Sequence, residues 1–434
     1  MSIALITVLT VVLLFAFFLM GLGIGISMAL AGFIGFAAIV DWDAALNLVA
    51  VDVYSVFSSY SFTVIPLFIF MGQIAAGAGI ARGIYDSTYR FVGHIPGGLA
   101  IGTVIAGTLF KAVCGSATAT TATFATISVP EMDRYGYDKR LSCGIVATVG
   151  TLGGLIPPSV GLIIYGLITG TSIGRLFLAG IFPGLLVAFS FVVTLIGWCR
   201  INPKLGPKGE KSTWKARFAS LPSVAWVVTI FLVVVGGLMA GFFTPTEAGS
   251  VGAMAVLIFS VVKRSITMEG FIKVAMETLY ISCMILVLLA GATILGHFFA
   301  VTRTPYLIGD FLSALPVNRH MVIVFILIVY LIGGTFIEDM AFFVLATPIF
   351  VPLVLNLGFD LVWWGVLVVI NIQLGCITPP FGLDCYTLKG LAPADVTLSD
   401  VFRSAMPFFA LGLLLMALII IFPQIALWLP GKSG

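Results

Sequence analysis

The chain has 434 residues, of which 60% are hydrophobic and only 9% charged, with a formal net charge of +3 and a mean hydropathy of +1.20. A water-soluble globule cannot hide that much apolar surface, so lipid must solvate this chain. No basic cluster interleaved with aromatics is present to track a phosphate backbone, which excludes nucleic acid as a partner.

In chain order, the first apolar run, Ile3 to Met20, lacks a basic leading region and passes directly into a second, so it reads as a retained helix rather than a signal peptide. Ten stretches are long enough to cross a bilayer core of about 30 Å. They lie near 2–21, 24–40, 58–77, 140–169, 177–199, 222–241, 247–262, 272–300, 361–388 and 404–430. Two further apolar stretches, near 94–130 and 306–352, are interrupted halfway by Gly115-Ser116-Ala117-Thr118 and by Gly333-Gly334-Thr335, and each reads as a re-entrant hairpin. With the N-terminus outside, only Arg175, Arg303, Arg319 and Lys432 fall in outer loops and Lys111 near a hairpin tip, leaving 16 of the 21 Lys and Arg inside. That asymmetry predicts ten crossings with both termini outside.

The segment 200–221, with Pro203, Gly206, Pro207 and six basic residues against Glu210, is the only long polar linker. It divides the chain into 1–199 and 222–434. An offset of 222 residues lays Val129, Pro130, Gly136, Asp138, Gly153, Pro157 and Pro158 on Val351, Pro352, Gly358, Asp360, Gly375, Pro379 and Pro380, with Tyr137 on Phe359. Each half then holds five crossings, one hairpin and one broken helix. An odd number of crossings turns the second copy upside down, which predicts an all-α polytopic membrane protein of two inverted repeats.

The helices after the hairpins are interrupted at Gly153-Gly154-Leu155-Ile156-Pro157-Pro158 and at Gly375-Cys376-Ile377-Thr378-Pro379-Pro380. Proline supplies no N–H, so carbonyl oxygens are left free within the bilayer. Such carbonyls suit a dehydrated Na⁺, and facing half-helix N-termini suit a carboxylate or sulfonate. One such break would be a packing kink, whereas two at symmetric positions point to a binding site.

The chain resembles the large membrane subunit of the tripartite ATP-independent periplasmic (TRAP) transporters. The resemblance is carried by PLFIFMG at 66–72, GSATATTAT at 115–123 leading to GGLIPPS at 153–159, FFTPTEAGSVGA at 242–253, and TFIEDMAFFVLATPIFVP at 335–352 with TPPFG at 378–382. It implies a Na⁺-coupled elevator carrier in the bacterial inner membrane, with no cofactor beyond the coupling ion. The implied partners are a small four-helix membrane subunit and a periplasmic binding protein that delivers a small organic anion. It further implies one Na⁺ site at Ser116, Thr118 and Gly153, a second at Gly334, Thr335, Gly375 and Thr378, and substrate near Thr120, Ser159 and Thr378.

Ionisable residues inside a membrane are functional candidates by default. Glu247 reads equally as a helix-start carboxylate or an interdomain contact, and Glu338 as an ion-site residue or a helix-start complement. Asp384 stands where the resemblance implies a neutral amide, which argues against direct cation binding there. Lys111 reads as a snorkelling lysine or an attractor of the anion. His94, His297 and His320 share no ligand spacing and read as loop or packing residues, and the six cysteines, without CxxC spacing, as small packing residues. A channel is the alternative function; HExxH and aspartates paired on one helix face, which an intramembrane enzyme would need, are absent from the sequence.

Overall fold

The structure is a computed structural model and describes residues 2–152, 154–307, 309 and 318–432. Every regular element among these residues is helical. The first half comprises α1 (Ile3–Leu19), α2 (Ile24–Ile39), α3 (Trp42–Ser58), α4 (Val64–Gly77), α5 (Ile80–Val92), α6 (Gly98–Cys114), α7 (Ala117–Arg134), α8 (Lys139–Leu152), α9 (Val160–Thr169) and α10 (Ile173–Ile201). The second comprises α11 (Trp214–Met239), α12 (Pro245–Val262), α13 (Met268–Val301), α14 (Arg319–Phe336), α15 (Asp339–Asn356), α16 (Leu361–Gly375), α17 (Leu383–Leu391), α18 (Leu398–Ile421) and a short α19 (Gln424–Leu427). Eight helical segments among the described residues are long and apolar enough to cross a membrane, and α1, α2, α6, α9 and α16 are shorter apolar helices.

Two expected connections are helical. Residues 42–58 form α3 and 80–92 form α5, both punctuated by charged residues. On α5, Ile80, Ala81, Ile84 and Tyr85 are buried and Arg82 is exposed, the pattern of a helix lying with one face on the protein. On α3, Asp41 caps the start through Ala44 N at 2.7 Å, and the buried Asp52 meets His297 Nδ1 of α13 at 2.8 Å.

Helix bounds recur along the chain. Adding 222 to Ala117–Arg134 gives the bounds of Asp339–Asn356, and the same shift carries α6, α8 and α9 onto α14, α16 and α17 to within one residue. The connections recur too: Gly136 and Gly358 both have positive φ, at 73° and 76°, and the Pro157-Pro158 and Pro379-Pro380 peptide bonds are both cis. One stretch differs, because the counterpart of the separate α3 and α4 is the single 34-residue α13.

Glycines let two helix pairs approach closely, the first of them backbone to backbone. On α2, a Cβ at Gly25 would lie 2.7 Å from Val287 O and one at Gly32 2.8 Å from Leu295 Cα, both on α13. On α12, a Cβ at Gly249 would meet Leu67 and Phe68 of α4, and one at Gly252 would meet Met71. Each half thereby lends its second helix to the other half's fourth-helix position. Packing through small residues is how membrane helices associate without a hydrophobic driving force between them.

The polar linker is docked rather than free. Gly97 N donates to Gly206 O at 2.9 Å, Asp138 N to Leu205 O at 3.1 Å and Gly209 N to Gly93 O at 2.8 Å, which ties it to both ends of the first hairpin. Nearby, Arg217 Nε donates to Arg90 O at 3.0 Å and Arg90 Nη1 to Ala216 O at 3.0 Å. These basic residues, placed on one side by charge asymmetry, are neighbours in space.

Candidate functional site

The first hairpin turns where the small-residue run predicts. Gly115 takes φ +66°, and Ser116 caps α7 by accepting Ala119 N on its Oγ at 3.3 Å. The second hairpin turns later than expected, at Ile337-Glu338. Gly333-Gly334-Thr335 instead form the last turn of α14, where Gly333 O accepts Ile337 N at 3.0 Å. Gly333 serves packing, since a side chain there would collide with the Phe342 ring. Glu338 takes the capping role, accepting Ala341 N on Oε2 at 2.8 Å.

The two tips, the first break and the two flanks of the second break, Gln373 and Leu383, meet around one cavity of about 180 Å³. Ser116, Thr118, Gly154 and Ser159 line it from the first half, and Glu338, Asp339, Met340 and Gln373 from the second, with Gln73 of α4 and Met284 of α13 completing the wall. The starts of α7, α9 and α15 all lie at this cavity, capped by Ser116, Ser159 and Glu338, so three sets of unpaired N–H groups bring partial positive charge there. Glu338 and Asp339 are the lining acids, and the lining contains no Lys or Arg.

The expected site residues divide as follows. Ser116 and Thr118 are adjacent, their hydroxyl oxygens 3.4 Å apart, and both face the cavity. Gly153 lies outside the described residues. Ser159 also faces it, donating from Oγ to Gly154 O at 2.5 Å. Thr120 does not line the cavity; it is buried and its hydroxyl donates to Ser116 O at 2.7 Å, which stiffens the tip. Gly334 and Gly375 touch, a Cβ on Gly375 falling 3.3 Å from Gly334 O, and Thr335 O accepts Phe381 N at 3.3 Å. Thr335 and Thr378 spend their hydroxyls on the helix carbonyls of Ile332 and Leu374, at 2.7 and 2.6 Å. Beside them lies a second cavity of about 230 Å³ lined by Gly334, Glu338, Asp339, Cys376 and Leu383. Thr378 lines neither cavity.

Several polar residues outside the motifs also matter. Gln373 lines the first cavity while its Oε1 has no hydrogen-bond partner, and nearby Asn371 donates to Leu327 O at 2.8 Å. A glutamine inside an otherwise apolar helix was the available signal. Lys111 does not snorkel: it is 1% exposed and its Nζ donates to Gly150 O at 2.8 Å. Glu247 forms a capping box with Thr244, accepting the Thr244 N–H at 2.8 Å, which supports the helix-start reading. Cys283 is exposed while the other five cysteines are buried, and Cys376 Sγ donates to Asp339 Oδ2 at 3.1 Å. The three histidines stay apart, and no metal-holding cluster of His, Cys, Asp or Glu occurs among the described residues. His297 is a hydrogen-bond partner of Asp52 rather than a packing residue.

The sequence pattern of the family described as "Tripartite ATP-independent periplasmic transporter, DctM component" matches residues 11–425. The chain is 32% identical to the C4-dicarboxylate TRAP transporter large permease protein of Pseudomonas aeruginosa, over 90% of this chain and 91% of that one. It is 30% identical to the ectoine TRAP transporter large permease protein of Halomonas elongata, over 98% of both. It is 31% identical to the isethionate TRAP transporter permease protein DctMQ of Oleidesulfovibrio alaskensis, over 96% of this chain and 66% of that one. In fold it is similar to the YdaH transporter of Alcanivorax borkumensis, with a TM-score of 0.59 at 12% identity over 91% and 90% of the two chains.

Proposed function

Because this chain belongs to the DctM component family of the tripartite ATP-independent periplasmic transporters, we propose that it is a Na⁺-coupled carrier that imports a small organic anion by an elevator movement. It is a multi-pass inner-membrane protein and the large permease subunit of its transporter. In this reading a small four-helix membrane subunit and a periplasmic binding protein complete the system, and the two halves of the chain are inverted copies.

The observation that carries the proposal is the meeting of both tips, the first break and the flanks of the second around one cavity. Catalysed movement of an anion across hydrocarbon needs a place that compensates its charge without leaving a fixed charge behind. Three helix starts supply partial positive charge for a carboxylate or sulfonate. Carbonyl and hydroxyl oxygens, together with Glu338 and Asp339, supply the ligands a hard cation takes. A cation bound there offsets the acids and lets the anion sit beside them, which makes binding of the two mutually dependent.

The relatives named for C4-dicarboxylate, isethionate and ectoine set the substrates to try. The test is uptake into liposomes holding the full-length chain and its small subunit, with each ligand presented by a binding protein under an inward Na⁺ gradient. Saturable uptake that collapses when choline replaces Na⁺ is expected. Non-saturating flux without Na⁺ or binding protein would establish a channel instead.

A further inference from the structure

Gly150, on the last turns of α8, is the meeting point of three other elements. From α6, Lys111 Nζ donates to its carbonyl at 2.8 Å. A Cβ built on Gly150 would collide with Thr121 Oγ1 of α7, and would lie 2.8 Å from Asp384 Oδ2 of α17 and 2.9 Å from Ala117 O. Three oxygens of three kinds, carboxylate, hydroxyl and carbonyl, therefore converge on a space that only glycine leaves open. Lys111 is 1% exposed, and Thr121 and Asp384 are 0% exposed.

None of these oxygen-bearing side chains is satisfied within the protein. Both carboxylate oxygens of Asp384 and the hydroxyl of Thr121 lack a hydrogen-bond partner. Lys111 makes its one hydrogen bond to Gly150 O and forms no ion pair within 4.0 Å among the described residues. A bare buried carboxylate is costly unless a positive charge stands close by, and an unpaired buried ammonium is equally so. The titratable groups around the ammonium are Cys114 on its own helix, Asp384 on α17, Cys376 at the second break and Asp339 on α15. Asp339 already accepts a hydrogen bond from Cys376. Asp384 is the carboxylate left without one.

We propose that Asp384, Thr121 and the Ala117 carbonyl form a monovalent-cation cradle at Gly150, and that the ammonium of Lys111, held on the Gly150 carbonyl beside it, supplies the charge that a free ion in the cradle would otherwise bring. Carboxylate, hydroxyl and carbonyl oxygens are the ligands hard cations take. An ammonium on a four-carbon stem supplies the same charge but cannot dissociate. The cradle travels with its helices at constant charge and adds no ion to the transport stoichiometry. Once the ammonium is removed, Asp384 must recruit a mobile cation. The cradle shares Ala117 with the first tip but none of the residues assigned to Na⁺ there, and its test is a difference from the native chain, so the inference stands whether or not the tips bind Na⁺.

The test is thermal unfolding of the full-length chain in detergent, in NaCl, LiCl or choline chloride. The native chain is compared with Lys111→Met, Asp384→Asn and the double variant. Lys111→Met should gain a rise in midpoint of roughly 2 °C or more in Na⁺ or Li⁺ beyond any the native chain shows, and Asp384→Asn in the same chain should abolish that gain. If either single variant yields little monodisperse protein, the double variant should recover it, because it leaves no uncompensated charge. Three results would overturn the proposal: equal salt responses in Lys111→Met and the native chain, stabilisation of Lys111→Met by acid alone, or no recovery in the double variant.

Discussion

Gln373 covers Gly154. A Cβ at Gly154 would lie 2.5 Å from Gln373 Cδ and 2.9 Å from its Nε2, so the break of the first half and the helix before the break of the second are in direct register across the cavity.

That contact makes Gly154 intolerant of a side chain. Gly154→Ala should force Gln373 out of place, an overpacking cost of about 1–3 kcal/mol, and lower the uptake rate at least severalfold. Trimming the opposing residue in a Gly154→Ala/Gln373→Ala chain should return part of the lost rate. Equal rates for Gly154→Ala and the native chain would show that the two breaks are not packed this way in the working protein.

Ser116 both caps α7 and faces the cavity. Ser116→Ala removes an oxygen and a cap, the latter costing about 1 kcal/mol, so the Na⁺ concentration for half-maximal uptake should rise. Thr378→Ala should raise it less, since that hydroxyl is held by Leu374 O. Initial rates across a Na⁺ series distinguish the two, and an unchanged Na⁺ dependence in both removes these hydroxyls from the ion site.

Met284 of α13 and Met340 of α15 face the same cavity, the first from outside the two hairpins and the second from beside the second tip. With the exposed Cys283 replaced by Ser, cysteines at 284 and 340 should crosslink in one state and stop uptake. Reduction should restore it. Complete crosslinking with undiminished uptake would favour local hairpin movement over an elevator.

Charge asymmetry predicts that cysteines replacing Lys208 and Lys215 react with an impermeant thiol reagent only from the cytoplasmic side, and one replacing Arg175 only from outside. The docked linker keeps the first two near the base of the first hairpin. Labelling of all three from one side would reject the inverted arrangement.

Lys139 Nζ lies 2.7 Å from Asp395 Oδ2 at the surface, and its hydrogen bond holds the Asp395 carboxyl below its ordinary range. A lowered carboxylate stabilises the fold above its unfolded-state value and ceases to as pH falls through the lowered one. Asp395→Asn should therefore shift the unfolding midpoint slightly at neutral pH in low salt. The difference should shrink in high salt and vanish in acid.

The first tip and both breaks were legible because Gly, Ser, Thr and paired prolines interrupt runs that are otherwise apolar. Asp138 and Asp360 were legible as equivalents, and the structure shows their shared task, each accepting backbone N–H groups at a helix start: Arg140 and Leu141, and Val362 and Trp363. The second tip was misplaced because glycine marks a close approach as readily as a turn, and Gly333 makes room for Phe342. The snorkelling alternative for Lys111 fails because whether a lysine snorkels depends on the carbonyl it can reach, here Gly150 O, 39 residues away in sequence. The helices α3 and α5 are hidden in the sequence because charged residues interrupt their apolar runs, Asp43 and Asp52 in α3 and Arg82, Asp86 and Arg90 along one face of α5.

The approach of α2 to α13 also sets a schedule for biosynthesis. Gly25 rests against Val287 O, so the groove on α2 is made long before the strip that fills it. At about 5–20 residues per second, the ribosome needs on the order of 10–50 s to reach that strip. Throughout that interval the nascent first half sits in lipid with the glycine face of α2 open, although α1 and α3 already pack on its other sides. Synthesis that ends in the linker therefore leaves a half-chain whose α2 lacks α13, the helix its glycines are shaped to receive.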